Sequence, residues 1–110
     1  MKLRITDDII TTVGTIHRLC AIISRRDPDL AKQIRRAITS VGLNTAEGVN
    51  ASGGNRPLRL ESAMSSGREV IVGLRIAGAA GYLEAERVAY EIDNLDRIVA
   101  ILYKLAHHSR

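Results

Sequence analysis

Apolar side chains recur along most of the chain at intervals of three and four residues, with polar side chains between them. In the first segment the apolar stripe is formed by Ile9, Val13, Ile16, Cys20 and Ile23. This spacing places residues on one side of an α-helix, and no segment alternates with the two-residue period of a β-strand. The pattern predicts four helices, over residues 7–25, 28–49, 57–80 and 84–107.

Capping residues and a glycine-rich segment separate the predicted helices. Thr6 or Asp7 is suited to cap the first helix, and Asp27 followed by Pro28 is a typical start for the second. Residues 51–56 are rich in Gly and Ser, which favour a loop. Four helices with short connections favour an antiparallel up-down-up-down bundle. The sequence thus predicts an all-α, single-domain protein, since domains of about 100–150 residues are common.

Three glycines, Gly67, Gly73 and Gly78, fall inside the third predicted helix. Each costs about 1 kcal/mol of helix stability relative to Ala, so we expect a neighbouring backbone to approach closely there. Gly81 follows the last apolar position. We expect it to end the helix, because glycine readily adopts the left-handed conformation found at helix C-termini.

The composition restricts the chemistry that this chain can perform. It has 110 residues, one Cys, three Tyr and neither Phe nor Trp. One Cys excludes an internal disulfide and a cysteine-based zinc site, and three rings are too few for a platform that stacks bases. No apolar run approaches the ~18 residues of a membrane span, and the acidic start of the chain is unlike a signal peptide. We therefore expect a cytoplasmic protein that does not associate with a membrane.

Positive charge is concentrated in the first half of the chain. Residues 1–59 contain ten Lys and Arg against five Asp and Glu, whereas residues 60–110 contain six against seven. Most of the basic residues are Arg, whose guanidinium group binds phosphate in a bidentate manner. One interpretation is a solvated face with local ion pairs to Asp27 and Asp29, and the other is a surface that binds a polyanion. The candidate nucleic-acid-binding residues are Arg25, Arg26, Lys32, Arg35, Arg56 and Arg59.

Two motifs, one on the second predicted helix and one on the third, resemble those of a known family. The motif residues on the second helix are Gln33, Arg35, Arg36, Ala37, Ser40, Asn44, Ala46, Glu47 and Gly48. Those on or just after the third helix are Ala63, Ser66, Glu69, Leu74, Gly81 and Tyr82. In type and spacing they resemble the four-helix-bundle family encoded by intervening sequences of bacterial 23S ribosomal RNA genes. The resemblance covers residues 28–83.

The resemblance implies small bundles that assemble as cyclic homopentamers. The accessory variability protein of diversity-generating retroelements is related in fold, and it binds nucleic acid and a reverse transcriptase through a basic surface. By this resemblance, the chain is expected to be a non-catalytic, pentameric binding or scaffold protein that contacts RNA or DNA. The alternative is an adaptor that binds an enzyme partner such as a polymerase without touching nucleic acid itself.

Several motif residues are assigned to a polar layer between the second and third helices. They are Arg36, Ser40, Asn44, Glu47, Gly48, Ser66 and Glu69. The polar members recur at spacings of three and four, so they share one face of each helix and could set the helix register. We expect Arg36 to pair with Glu69 and Arg68 with Glu47, because an unpaired buried carboxylate is costly. The alternative is a pocket for a small ligand or a partner side chain.

The sequence offers little support for catalysis. Glu47 and Glu69 are candidates for an acid–base pair, but no phosphate-binding loop, metal-spaced His cluster or catalytic triad accompanies them. His17 and Cys20 are three residues apart, without a third orienting group. We therefore expect no enzyme activity, no cofactor and no metal.

The first and fourth helices carry more apolar residues than the core of one bundle needs. One interpretation is that the surplus covers the ends of the core. We favour the other, in which it packs against further copies of the chain. The candidate interface residues are Ile10, Leu19, Ile22, Ile98, Ile101 and Leu105.

Overall fold

The computed structural model describes residues 2–51 and 54–108, which form four α-helices. They are α1 (Lys2–Ile23), α2 (Pro28–Asn50), α3 (Asn55–Ala79) and α4 (Ala85–His108). α1 packs against α2, α2 against α3, and α3 against α4, so consecutive helices are neighbours. The predicted all-α, antiparallel up-down-up-down bundle is confirmed. It measures 44 × 22 × 19 Å.

The start of α1 differs from the prediction. The helix begins at Lys2, so Thr6 and Asp7 lie inside it and do not cap it. The physical reason is Ile5, which is buried and extends the apolar stripe by one turn toward the N-terminus. The loop predicted over residues 51–56 is shorter than expected, because α3 already begins at Asn55; residues 52 and 53 lie outside the described residues.

The connections between α1 and α2 and between α3 and α4 follow the predicted chemistry. Asp27 caps α2, since its Oδ1 accepts a hydrogen bond of 3.0 Å from the Leu30 backbone N–H, and Pro28 occupies the first turn. Gly81 ends the turn after α3 with a positive φ of 81°. There the Tyr82 N–H donates to the Ala77 carbonyl at 2.9 Å, which satisfies a carbonyl at the helix end.

The glycines inside α3 admit side chains of neighbouring helices, where a neighbouring backbone had been predicted. A Cβ atom on Gly73 would lie only 2.6 Å from Cγ1 of Ile34 on α2. A Cβ atom on Gly67 would lie 3.0 Å from Cγ2 of Val99 on α4. Side chains of α2 and α4 thus occupy the space that a Cβ atom would fill at each of these glycines. This packing offsets the helix-weakening effect of glycine.

The core is aliphatic and draws on all four helices. Its largest fully buried side chains include Ile16, Ile38, Leu74 and Leu102, one from each helix. None of the helices in the described ranges is both long and apolar enough to cross a membrane.

The backbones of α1 and α4 approach each other least closely among adjacent helices. A hydrogen bond crosses this seam: Nδ2 of Asn94 donates to Oγ1 of Thr12 at 3.0 Å. Leu19 and Ile98 are buried within the bundle. Ile98 belongs to the core, whereas Leu19 also lines a groove at one end of the bundle.

Candidate functional site

A surface of the α1–α2 hairpin carries only positive charge. From Ile9 to Arg26 and from Leu30 to Ala46 the chain contains no Asp or Glu. Asp27 and Asp29 are confined to the connection and to the first turn of α2. We call the six basic residues of these two segments the basic surface: Arg18, Arg25, Arg26, Lys32, Arg35 and Arg36.

The charges of the basic surface are not neutralised locally. Within the described part of the chain none of its residues forms an ion pair shorter than 4.0 Å, and all are exposed except the half-buried Arg35. The expected alternative, ion pairs to Asp27 and Asp29, is not formed. Asp27 is engaged elsewhere: its Oδ2 accepts a hydrogen bond from the Tyr82 hydroxyl at 3.5 Å.

Arg26 and His17 are held in place by neighbouring side chains. The guanidinium carbon of Arg26 lies 5.5 Å from the centroid of the Tyr82 ring, a distance compatible with a cation–π contact. A ring nitrogen of His17 lies 3.2 Å from Oγ1 of Thr39, which joins α1 to α2. His17, Thr39 and the two arginines Arg35 and Arg36 line part of a shallow depression of about 450 Å³. Hydrogen-bond donors are thus concentrated in this depression, which suits it to an anion.

Two of the six predicted nucleic-acid contacts are not available as free cations. Arg56 is only 9% exposed, and its Nη1 donates to the carbonyl oxygens of Gly48 and Val49 at 3.3 and 3.5 Å. It therefore caps the C-terminus of α2, and its assignment to phosphate binding was wrong. Arg59 is exposed, and its Nε lies 3.3 Å from Oε1 of Glu47.

The motif serines form a hydrogen-bonded link between α2 and α3. The hydroxyl oxygens of Ser40 and Ser66 are 2.8 Å apart. Nδ2 of Asn44 donates to the carbonyl and the hydroxyl oxygen of Ser40 at 3.1 and 3.0 Å. These groups are partly buried, so the link ties the register of the two helices together.

The glutamates of the motif lie outside this link. Glu47 and Glu69 are both exposed, and the expected pairs of Arg36 with Glu69 and of Arg68 with Glu47 are not formed among the described residues. The physical reason is position: Glu47 lies beside the first turns of α3, where Arg59 is its partner. The polar layer is therefore smaller than predicted.

The glycine of the motif serves packing. A Cβ atom on Gly48 would lie 2.7 Å from Cδ2 of Leu60, so only glycine lets α3 begin this close to α2. The Arg56 guanidinium then reaches the last carbonyls of α2. The second-helix motif thus builds the α2–α3 hairpin.

Sequence reasoning missed a buried charge on α4. Glu91 is 2% exposed, and its Oε2 lies 3.2 Å from Nε of the half-exposed Arg87. The signal was the spacing of four residues between Arg87 and Glu91, which allows a pair on one helix. Thr45 lies on the buried face of α2, and its hydroxyl has no hydrogen-bond partner among the described residues.

Cys20 has the environment of a core residue. Burial raises the pKa of its thiol above the ordinary value of 9.0, an effect that the nearby charge of Arg35 partly opposes. The protonated thiol is a poor nucleophile and metal ligand. In the described ranges, no group of three His, Cys, Asp or Glu side chains is placed to hold a metal ion.

These features define a small four-helix bundle with a motif-built hairpin and one strongly basic surface. Residues 1–104 match the family model described as 23S rRNA-intervening sequence protein. The chain belongs to this family, as its motifs indicated.

A solved structure has the same fold. It is a crystal structure described as a protein of unknown function from the S23 ribosomal protein family of Bacteroides thetaiotaomicron VPI-5482. It is 20% identical, with a TM-score of 0.86 over 94% of this chain and 98% of that one. No curated protein matches the chain.

Proposed function

We propose that the chain is a non-catalytic, cytoplasmic, homo-oligomeric binding protein, expected as a pentamer, which contacts RNA or DNA through the basic surface. The observation that carries the proposal is the absence of any carboxylate from the two chain segments, residues 9–26 and 30–46, that supply its six cations. Arginines without ion-pair partners are available for phosphate, and their summed field attracts a polyanion.

The kind of contact follows from the side chains present. The basic surface contains no aromatic residue of its own, so bases have no platform to stack on. Lys32, Arg35 and Arg36 are spaced along one side of α2 and can follow a phosphate backbone. Binding is therefore expected to depend on charge and helix shape, with little preference among sequences.

Oligomerisation would strengthen such binding. If several copies present the basic surface together, the second contact with one nucleic acid becomes intramolecular, and the overall affinity can rise by about 10²–10⁴. A weak site on one copy is then sufficient for stable binding by the assembly. We propose the pentamer on the family resemblance alone.

The test is charge reversal with a matched control. We expect the triple variant Arg25→Glu, Arg26→Glu, Lys32→Glu to lose at least about tenfold in affinity for a duplex, since each phosphate contact contributes to binding. The control is Arg68→Glu, Arg97→Glu, Lys104→Glu, which has the same net charge but alters exposed cations of α3 and α4. Fluorescence anisotropy with RNA and DNA duplexes of equal length measures both. Equal losses in the two variants would contradict a localised site.

The second candidate is an adaptor that binds a protein such as a polymerase. It is favoured by Leu43, which is exposed beside the basic surface on α2. We expect an adaptor to retain its protein partner after nuclease treatment and to lose it in Leu43→Glu. Recovery of nucleic acid alone, in a capture experiment without nuclease, would count against this function.

A further inference from the structure

One end of the bundle carries an apolar groove between α1 and α4. It has a volume of about 560 Å³ and is lined by Leu19, Ile22, Leu83 and two of the three tyrosines of the chain, Tyr82 and Tyr90. Ile22 is 41% and Tyr90 69% exposed. Apolar and aromatic side chains so exposed gain free energy when a partner covers them.

The rim of this groove is negatively charged. Glu84 and Glu86 line it, both are exposed, and neither forms an ion pair within the described ranges. The one cation of the lining, Arg87, is already paired with the buried Glu91 at 3.2 Å. Arg26 lies beside the groove, with its guanidinium carbon 5.5 Å from the centroid of the Tyr82 ring. The groove therefore suits an occupant with apolar side chains flanked by a positive charge.

The chain itself presents such a surface on α3. Val72 and Ile76, one helical turn apart, are 52% and 49% exposed, and the exposed Arg75 between them has no ion pair among the described residues. We call these three residues the ridge. Gly67 and Gly78 face Val99 and Val88 of α4, so the ridge lies away from α4. Val72 and Ile76 lie next to α2, where they line a small depression together with Leu30, Gln33 and the exposed Glu69.

The groove and the ridge lie at the same end of the bundle. The ridge occupies the last two turns of α3, which ends at Ala79, and α4 begins at Ala85 beside the groove. Leu19 and Ile22 occupy the last turn of α1, which ends at that same end in an antiparallel bundle. A neighbouring copy therefore needs no shift along the bundle axis to bring its ridge to this groove.

We propose that the ridge of one copy packs into the groove of the next, with Arg75 opposite Glu84 and Glu86. This inference rests on the proposed self-association and assigns its two contact faces. Because the two faces differ, the contact is head-to-tail. A head-to-tail contact without axial rise closes into a ring rather than growing as a helical filament. The part of the basic surface on α2, formed by Lys32, Arg35 and Arg36, does not line the groove.

Single charge substitutions in each face test the assignment. We expect Ile76→Glu, which alters the ridge, and Ile22→Glu, which alters the groove, to convert the oligomer to monomer, because each places a carboxylate in an apolar contact. Light-scattering mass over a range of concentrations is the readout. Leu58→Glu is the matched control: Leu58 is also an exposed apolar residue of α3, but it lies about 27 Å away along the helix axis. Circular dichroism checks that each variant is helical.

Mixing the two monomeric variants tests the head-to-tail arrangement. Ile76→Glu keeps an intact groove and Ile22→Glu an intact ridge, so together they can form one contact but no second. We expect the mixture to give a species of twice the monomer mass and nothing larger. A mixture that stays monomeric would overturn the pairing of ridge with groove, since a contact between like faces gives no such rescue.

The outcomes separate this inference from the proposed function. A wild-type chain that is monomeric at all concentrations contradicts self-association itself. A wild-type oligomer that persists in Ile76→Glu and Ile22→Glu retains self-association and overturns the two faces assigned here. Dissociation by Leu58→Glu, to the same extent as by the ridge variant, likewise overturns the ridge.

Discussion

The bundle has two seams that differ in how their helices meet. At the α2–α3 seam, Gly73 admits Ile34 and the backbones come close. The hydroxyls of Ser40 and Ser66, 2.8 Å apart, span the remaining distance. This seam contains most of the family motif.

The α1–α4 seam, on the other side of the bundle, is wide. It contains the hydrogen bond between Thr12 and Asn94 and, on its α4 side, the buried Glu91 with its partner Arg87. The wide seam ends in the groove that we assign to a second copy.

The comparison shows that side-chain size decides which of the two seams is closely packed. Small residues let two helices close their seam with backbone and short side chains. Larger and polar side chains hold α1 and α4 apart and leave concave space at one end. The motif therefore marks the seam that builds the fold.

Removing the cation of the Arg87–Glu91 pair, beside the α1–α4 seam, should reduce the stability of the fold most. We expect Arg87→Met to lower the free energy of unfolding by about 2–4 kcal/mol, because Glu91 is left as a buried, unpaired carboxylate; the value is below that of a fully buried pair because Arg87 is half-exposed. Urea denaturation at fixed protein concentration measures the loss.

The matched control for this variant is Lys104→Met, an exposed cation of the same helix. It should change stability by no more than about 0.5 kcal/mol. Adding Glu91→Leu to Arg87→Met should restore most of the loss, since it removes the buried charge. A loss in Arg87→Met no larger than in the control would show that the pair does not stabilise the seam.

Adding a methyl group at Gly73, in the α2–α3 seam, should reduce stability by an intermediate amount. Gly73→Ala is expected to destabilise by about 1–2 kcal/mol, because the clash with Ile34 exceeds the gain in helix propensity. Gly42→Ala is the control: its Cβ would lie 3.5 Å from Cγ2 of Val13, an ordinary contact, so it should stabilise by up to about 1 kcal/mol. Thermal and urea unfolding give both signs, and two changes of the same sign would contradict this clash with Ile34.

Removing the hydrogen bond between Ser40 and Ser66 should reduce stability by a smaller amount. Ser40→Ala and Ser66→Ala are each expected to cost about 1 kcal/mol, since each leaves the other hydroxyl without its partner. The double variant should cost less than the sum, with a coupling of about 0.5–1 kcal/mol. Additive losses in this double-mutant cycle would mean that the two hydroxyls do not interact.

The pH dependence contributed by Cys20 should be the smallest effect under ordinary conditions. Because burial raises the pKa of its thiol above 9.0, the folded chain holds this proton to higher pH than the unfolded chain. Its contribution to stability is thus constant below pH 9.0 and falls as pH rises above that value, by at most about 1.4 kcal/mol per pH unit. Urea unfolding between pH 7 and 10.5, compared with Cys20→Ala, should show the decline only in the wild type. Identical profiles would contradict the shift.

The helices were predictable because their cause is local. The three- and four-residue spacing of Ile9, Val13 and Ile16 needs only the sequence, and so does the cap formed by Asp27. The start of α1 was not predictable in this way. Asp7 has the chemistry of a cap, and only the packing of Ile5 into the core decides that the helix continues through it.

The site was less predictable because its residues meet through the fold. Arg56 has the same side chain as Arg26, and its role as a cap depends on how the loop returns the chain to the end of α2. Likewise, the burial of Leu19 depends on the width of the α1–α4 seam. The basic surface was predictable in part, since it follows from runs of sequence that lack carboxylates.

The salt dependence of nucleic-acid binding tests the proposed function most directly. The measurement is the affinity of the unaltered chain for a short duplex at several salt concentrations. If Arg25, Arg26, Lys32 and Arg35 each neutralise a phosphate, log affinity should fall against log salt with a slope of about −3 to −4 per bound copy. A slope near zero, or no binding at the lowest salt concentration, would contradict the assignment of the basic surface to nucleic acid.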